Sequence, residues 1–203
     1  MILRTGDDFG FSDRTCVSIG IGLATLGVIS HIAKGAWYQG RYFLFESRRD
    51  RHFCHIRRRW VAGLTATPIT IRLRQHQRWY GGTVWHYPMS APRIDQGAIA
   101  SWLVARLGTP YDTRQAAAAR LLGLGWLQRR LLGREDLRRL YCAETAAKAD
   151  EIGGVLPEHD ASGWSPAGLL RYKRRIGAAG PPKELSAVEE VERCVTARAD
   201  GEP

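Results

Sequence analysis

Cys142 is the residue of this chain with the clearest chemical potential. It follows an arginine-rich approach and falls at the predicted start of a helix. A helix N-terminus and nearby cations stabilise the thiolate, which is the nucleophilic form of cysteine. The amides of a first helical turn can also form an oxyanion hole. Cys142 is therefore a candidate nucleophile, and the alternative is an inert, buried cysteine on an alanine-rich helix.

A base and a residue to orient it lie on a predicted hairpin. Residues 29–34 and 42–47 alternate as strands, and residues 37–40 supply the turn. A hairpin symmetric about the middle of this turn sets His31 directly opposite Glu46. Directly opposed side chains are close enough for a carboxylate to bind one imidazole nitrogen and leave the other free as a base. Taken singly, each residue has a structural alternative: a satisfied histidine in an apolar strand, or a carboxylate paired with nearby arginines.

The first half of the chain is predicted to supply the sheet that holds this hairpin. Asp8–Phe11 is predicted as a short strand, and residues 18–26 as a short helix or apolar coil. Residues 69–74 alternate most clearly, with Ile69, Ile71 and Leu73 on one face, and are predicted as a strand.

Helical spacing begins near Ile94 and predicts the elements that carry the nucleophile. A helix there ends before Gly108, another runs from about Tyr141 to Ile152, and a third starts at Ser165-Pro166 and runs to Arg175. Residues 114–139 are interpreted as a helical insertion. Strands followed by helices indicate an α+β fold with a small antiparallel sheet packed against helices.

Length and charge predict one domain with an acidic end. The chain has 203 residues and a formal net charge of +10, with 44% hydrophobic and 25% charged residues, which excludes disorder, collagen and coiled coil. Residues 184–203 carry a net charge of −4 and the remainder +14. A Gly/Pro-rich stretch at 177–183 predicts a linker. We therefore expect a domain over residues 1–178 and an acidic tail over 179–203, flexible or a short helix.

The N-terminal region predicts neither a signal peptide nor a membrane span. No basic segment followed by an apolar core begins the sequence, and the most apolar run, residues 17–33, is short and interrupted by glycines. The four cysteines are far apart and without CxxC spacing, as is typical of a reducing compartment. We expect a cytoplasmic location, although delivery by a non-classical or phage-type route stays open.

Other residue clusters support weaker interpretations. His52, Cys54 and His55 resemble metal ligands, but they alternate between strand faces and no second cluster completes a site, so no metal or cofactor is expected. Arginines and aromatic residues are interleaved at 48–60 and 72–79, as in nucleic-acid-binding proteins; a solvated rim, or a rim for an anionic substrate, is favoured. Trp37, Tyr111 and Tyr141 are weak candidates to line a substrate cleft.

Several motifs occur together in a recognisable order. Gly6-Asp7 opens a strand, Ser30-His31 and Phe45-Glu46 follow, and Gly108-Thr-Pro-Tyr-Asp112 precedes Tyr141-Cys142-Ala-Glu144 and Ser165-Pro166. This order resembles the circularly permuted papain-like (NlpC/P60-superfamily) hydrolases, specifically the YiiX/YebB-like group, with lecithin retinol acyltransferase-like enzymes as more distant relatives. The resemblance spans roughly residues 5–170. Asp8, where the family usually has an apolar residue, and Ala143, where it has serine, depart from the pattern.

The resemblance implies a permuted papain-like fold and a Cys-His-Glu hydrolase of amide or ester bonds. Cys142 would attack a carbonyl, His31 would accept and return the proton, and Glu46 would orient His31. The expected substrate is a cell-wall or other peptide amide, or a lipid ester, and an anionic one because the domain is basic. Acyl transfer on the same fold, and a basic nucleic-acid-binding module with a structural cysteine, remain alternatives.

Overall fold

A six-stranded antiparallel sheet flanked by helices gives the protein its α+β fold. The computed structural model describes residues 1–12, 29–91, 93–113, 116, 138–158, 164–185, 191–192 and 194–196. The strands are β1 (Asp8–Phe11), β2 (His31–Tyr38), β3 (Arg41–Cys54), β4 (Arg59–Pro68), β5 (Val84–Tyr87) and β6 (Lys183–Glu184); the helices are α1 (Ile69–Trp79), α2 (Gln96–Ala105), α3 (Cys142–Ile152) and α4 (Pro166–Arg175). The strand order is β4-β3-β2-β1-β5-β6.

The two faces of the sheet are buried by different helices because side chains alternate along each strand. On one face, Ile32 of β2 packs with the alanines of α3 and with the leucines of α4. On the other face, Phe9 and Phe11 of β1 pack with Ile69 and Leu73 of α1. The small side chains of α3 allow this helix to lie close to the sheet.

The prediction of a strand at residues 69–74 is wrong, because this segment is the first part of α1. Its buried residues are Ile69, Arg72, Leu73 and His76, which follow the i, i+3, i+4, i+7 spacing of a helix face. The alternation of Ile69, Ile71 and Leu73 also fits a strand, so the short apolar run was ambiguous. Pro68 ends β4, and the chain turns directly into the helix.

The β2–β3 hairpin is present, but its register differs from the prediction. Tyr38 pairs with Arg41, and the turn residues Gln39 and Gly40 both have positive φ, as a two-residue type I′ turn requires. His31 is therefore level with position 48 instead of Glu46. The shift is two residues, so the predicted face is kept, and His31 and Glu46 are diagonal neighbours.

The helices of the second half begin and end close to the predicted positions. α3 starts at Cys142 and ends before Gly153, and α4 starts at Pro166, where the side chain of Ser165 accepts a hydrogen bond from the amide of Gly168. α2 ends at Ala105, and its buried residues are Ile99 and Leu103, whereas the sequence spacing predicts a face formed by Ile94, Ala98, Trp102 and Ala105. Residues 18–26 and most of the expected insertion at 114–139 lie outside the described residues.

The segment from residue 179, which the sequence predicts to be a flexible tail or a short helix, packs against the domain where the structure describes it. Ala178 and Ala179 are buried, and β6 pairs with β5. Leu185 and Val191 are buried in the core cluster beneath α1. A Gly/Pro stretch predicts an irregular backbone, but it does not show whether the apolar residues beyond it return to the core.

Deletion of residues 180–203 is therefore expected to destabilise the protein. Burial of Leu185 and Val191 contributes about 1.5–3 kcal/mol each, which corresponds to a fall in melting temperature of roughly 10 °C for a chain of this size. Thermal unfolding followed by circular dichroism measures it. Deletion of residues 201–203 alone, which leaves every described residue in place, is the control. An unchanged melting temperature in the longer deletion would contradict this packing.

No helix among the described ranges has both the length and the apolar character needed to cross a membrane.

Candidate active site

Cys142 is the first residue of α3, as the sequence predicts. Tyr141 is the N-cap residue, and the carboxylate of Glu144 accepts a hydrogen bond from the Tyr141 amide at 3.2 Å, in a capping box. This hydrogen bond marks the start of the helix. The thiol thus lies at the positive end of the helix dipole, although Cys142 is only 4% exposed.

The chain that leads into Cys142 is fixed by Leu140. The carbonyl of Leu140 accepts hydrogen bonds from the Ser47 hydroxyl at 2.5 Å and from the Asp112 amide at 3.4 Å, and the Leu140 amide donates to the carbonyl of Pro110 at 2.9 Å. The nucleophile is therefore positioned by β3 and by the Gly108–Asp112 turn.

The Gly108–Asp112 turn is itself bound to the edge strand β4. The amide of Gly108 donates to the carbonyl of Leu64 at 2.8 Å, and the amide of Leu64 donates to the carbonyl of Thr109 at 2.9 Å. Gly63 has a φ of 98°, and a Cβ at this position would lie 1.9 Å from the Thr109 oxygen. Only glycine at position 63 allows the carbonyl of Thr109 to come so close to β4.

His31 and Glu46 are hydrogen-bonded across the hairpin. The Nε2 atom of His31 lies 2.8 Å from Oε2 of Glu46, and the His31 side chain is 22% exposed. This bond leaves Nδ1 as the ring nitrogen available to another group. The two side chains meet as predicted, in a diagonal pair instead of a directly opposed one.

The Cys142 side chain is within hydrogen-bonding reach of the His31 ring. Burial alone would lower the pKa of His31. The charge of Cys142 and its hydrogen bond to the ring, together with Glu46, instead raise this pKa above its ordinary value of 6.5. The structure thus brings the three residues together with the imidazole in the centre.

Glu46 has two cationic partners: Arg48, which is one of the nearby arginines considered from the sequence, and Arg72, which the sequence interpretation missed. The Nε atom of Arg72 lies 2.5 Å from Oε1 of Glu46, and NH1 of Arg48 lies 3.7 Å from the same oxygen. Burial would raise the pKa of Glu46, but Arg72 first, and then Arg48 and His31, hold it well below the usual value. The strand prediction for residues 69–74 places Arg72 on the face opposite Ile69, Ile71 and Leu73. The helical spacing of Ile69, Arg72, Leu73 and His76 is the sequence signal that instead puts Arg72 on a buried face.

A buried quartet of charges, Asp8, Lys34, Asp150 and Lys173, lies beside the site. The ammonium of Lys34 is 2.8 Å from Asp8 and 2.5 Å from Asp150. Lys173 forms an ion pair with Asp8 and lies 2.7 Å from Asp150. The four side chains are at most 1% exposed, and their charges balance. This network explains the charged residue at position 8, where the resemblance leads one to expect an apolar one.

The buried quartet connects the elements that carry the thiol and the imidazole. Lys34 follows His31 by three residues on β2, and Asp150 follows Cys142 by eight residues on α3. An ion pair between Lys34 and Asp150 therefore fixes the position of α3 along β2. Registry of this kind is the best-attested use of buried charged groups.

The weakly predicted substrate residues are placed differently from one another. Tyr141 is 1% exposed, and its hydroxyl donates to the carbonyl of Trp164 at 2.7 Å, so it is a structural residue. Trp37 lies six residues from His31 on β2, and its indole donates to Leu3. Neither lines the Cys142 site. Tyr111 is half-buried and packs against the cluster that contains Cys142.

His52, Cys54 and His55 do not converge. Cys54 is fully buried in the core, and His55 packs edge-on against Phe53. Burial first, and then the charge of Arg48, lower the pKa of His52 to about 4. In the part of the chain that the structure describes, no group of three or more His, Cys, Asp or Glu residues could hold a metal ion.

Comparisons with known proteins identify the fold only. No protein-family model matches the sequence, and no curated protein matches it. Among solved structures, the chain is similar to YiiX from Escherichia coli O157:H7, which is described as a metalloprotein and as DUF1105. The two chains are 19% identical, with a TM-score of 0.54, over 92% of this chain and 98% of the other. The fold is therefore YiiX-like.

Proposed function

We propose that the protein is a cysteine-dependent hydrolase of amide or ester bonds, with Cys142 as nucleophile, His31 as general base and acid, and Glu46 as the residue that orients His31. The observation that supports this proposal is the position of the His31 ring, bound through Nε2 to Glu46 at 2.8 Å and contacted by the Cys142 side chain. A nucleophile, a base and an orienting group in this relation are the requirement for acyl transfer through a covalent intermediate.

The reaction proceeds in two steps. The Cys142 thiolate attacks the substrate carbonyl, the first-turn amides of α3 stabilise the oxyanion, and the His31 imidazolium protonates the leaving amine or alcohol as the bond breaks. The product is a thioester on Cys142. A water molecule, deprotonated by neutral His31, then attacks the thioester. The acyl C–S bond breaks, which releases the acid product and regenerates the Cys142 thiolate beside the His31 imidazolium. An amine or alcohol in place of water would give acyl transfer.

The finer fold assignment, a permuted papain-like domain of the NlpC/P60 type, belongs to the same proposal. It is supported by the chain order, in which the base on β2 precedes the nucleophile on α3, and by the likeness to YiiX. YiiX is described as a metalloprotein. The described residues of this chain do not provide a fitting set of ligands, so we assign no metal to the reaction.

Trapping of the thioester tests the proposal. We expect an activated ester, mixed with the protein and quenched in acid, to leave an acyl group on the peptide that contains Cys142, detected by mass spectrometry. Cys54 and Cys194, which are also free thiols, should not carry it. Acylation that is equal at Cys142, Cys54 and Cys194, or absent for every ester and amide offered, would contradict the proposal.

The substrate is proposed to be anionic, either a peptide amide or a lipid ester. Exposed arginines, at positions 49, 51 and 57–59, lie on the β3–β4 hairpin beside the exposed rings of Phe53 and Trp60. Arg48, at the root of this hairpin, is also the second cation near Glu46. Through Arg48, this hairpin contributes one positive charge next to the site.

Salt is expected to lower kcat/KM for an anionic substrate and to change kcat little, because screening weakens capture and leaves the bond-breaking step intact. Steady-state kinetics between 0.05 and about 1 M NaCl measure this effect. A neutral substrate of the same leaving group is the control. Tight duplex binding that falls steeply with salt and ignores Cys142→Ala, without turnover, would favour the nucleic-acid-binding alternative.

A further inference from the structure

Both carboxylate oxygens of Glu46 are occupied in the structure. Oε2 binds His31 and Oε1 binds Nε of Arg72, so Glu46 links the imidazole to a guanidinium on α1. Glu46 is 1% exposed. A carboxylate buried to this degree favours its neutral, protonated form unless cations surround it.

Arg72 is as deeply placed as the carboxylate that it contacts. It is 3% exposed, and its guanidinium lies over the ring of Phe11, 4.5 Å from the centroid. Phe11 in turn lies 5.8 Å from the His31 ring. Burial of an arginine costs several kcal/mol unless it is paired, and the pair with Glu46 offsets that cost.

We propose that Arg72 is a positioning residue of the Cys142 centre, which keeps Glu46 ionised and directed at His31. This inference rests on the proposed function and adds a fourth member to the site. Arg72 does not touch the reacting atoms and acts through Glu46. Among the described residues, the other charged or titratable groups that face Glu46 are His31 and Arg48, with His52 within its field and Cys142 beyond the imidazole.

Replacing Arg72 by methionine removes the nearest cation and keeps much of the buried volume. Burial then raises the pKa of Glu46, so the carboxylate takes up a proton at a higher pH than in the native protein. Protonated Glu46 no longer accepts a hydrogen bond at both oxygens, and His31 loses its orientation. Activity should fall on the acid side of the profile and recover as the pH rises. A residue with a merely structural role would lower activity equally at every pH.

The experiment is the pH profile of kcat/KM for Arg72→Met, Arg72→Lys, Glu46→Gln and the double variant Arg72→Met/Glu46→Gln. We expect the acid limb of Arg72→Met to move up by about one pH unit or more, which is a tenfold change in the proton affinity of Glu46. Arg72→Lys should restore part of this shift. In the Glu46→Gln background, Arg72→Met should not move the limb, since no carboxylate remains to titrate.

Arg78→Met is the matched control, because Arg78 is an exposed arginine on the same helix. It should leave the limb in place. An Arg72→Met profile that is lowered uniformly, or whose limb moves equally with and without Glu46, would overturn the inference. Circular dichroism of each variant checks the fold, and Arg72→Lys preserves the charge if Arg72→Met does not fold.

A second measurement separates this inference from the proposed function. Carbon-13 NMR of glutamate-labelled protein follows the ionisation of Glu46 without substrate, and Glu46→Gln identifies its signal. We expect Glu46 to titrate at higher pH in Arg72→Met than in the native protein, even if no substrate is ever turned over. An unchanged titration would refute the role of Arg72, whereas a shifted titration in an inactive protein would refute only the hydrolase.

Discussion

Cys142→Ala is expected to reduce turnover to background, a loss on the order of 10⁴-fold or more, as for removal of the nucleophile in other covalent hydrolases. The reason is that no other thiol contacts His31 among the described residues, so the thioester cannot form. Steady-state hydrolysis of the ester that acylates the native protein measures the effect. His31→Ala should approach the same loss, and Glu46→Gln should cost less, because it weakens orientation and leaves the base in place.

Cys194→Ala is the matched control, since Cys194 is a free, partly exposed thiol remote in sequence from α3. It should retain native turnover. If Cys142→Ala also retains turnover, Cys142 is not the nucleophile.

The pH dependence of thiol reactivity follows from the raised pKa of His31. The imidazolium form is favoured by the Cys142 charge, so it persists above pH 6.5 and is lost as the pH rises through the raised value. Iodoacetamide below pH 7 should therefore label Cys142 faster than Cys16, Cys54 or Cys194. Labelling followed by peptide mass spectrometry measures the four rates, and equal rates in the native protein would contradict a thiolate stabilised by His31.

Lys173→Met is expected to have the largest effect on stability, lowering the free energy of unfolding by about 3–5 kcal/mol. The substitution leaves two carboxylates, Asp8 and Asp150, in the core with one ammonium, and an unpaired buried charge is costly. Urea unfolding followed by fluorescence measures the change. Lys183→Met, on the exposed strand β6, is the control and should fall within about 0.5 kcal/mol of the native value.

A charge-balanced variant distinguishes this effect from a loss of packing. Lys173→Met combined with Asp8→Asn leaves Lys34 and Asp150 as a neutral pair of opposite charges. The double variant should therefore be more stable than the sum of the two single losses predicts. Strict additivity would show that the quartet is not an electrostatic unit.

The sequence predicted the elements whose signals are local. Ser165-Pro166 marks the start of α4, and Gly153-Gly154 marks the end of α3, because caps and breakers act over one turn. The hairpin that joins His31 to Glu46 was also predictable, although its register was wrong by two residues. The position of the turn did not distinguish between two hairpin midpoints that lie one residue apart. Because these two registers differ by two residues, His31 and Glu46 lie on the same face of the sheet in both.

Non-local features could not be predicted from the sequence. Arg72 was assigned to a strand because three alternating apolar residues suit a strand and a helix equally well over so short a span. The quartet joins residues that are far apart in the chain, and nothing in the neighbourhood of Asp8 indicates its partners. Val191 lies beyond a Gly/Pro stretch and among acidic residues, a pattern that is typical of an exposed segment and does not indicate that Val191 is buried.

The buried quartet also has a consequence for synthesis. Asp8 and Lys173 are separated by 165 positions. While the nascent chain lacks Lys173, packing of α3 against β2 would leave two buried carboxylates with one ammonium, which disfavours the native position of the helix that bears the thiol. At 5–20 residues per second, ribosomes need roughly 8–33 s to synthesise the residues between Asp8 and Lys173. The thiol site is therefore expected to assemble only after β1–β5 have been synthesised.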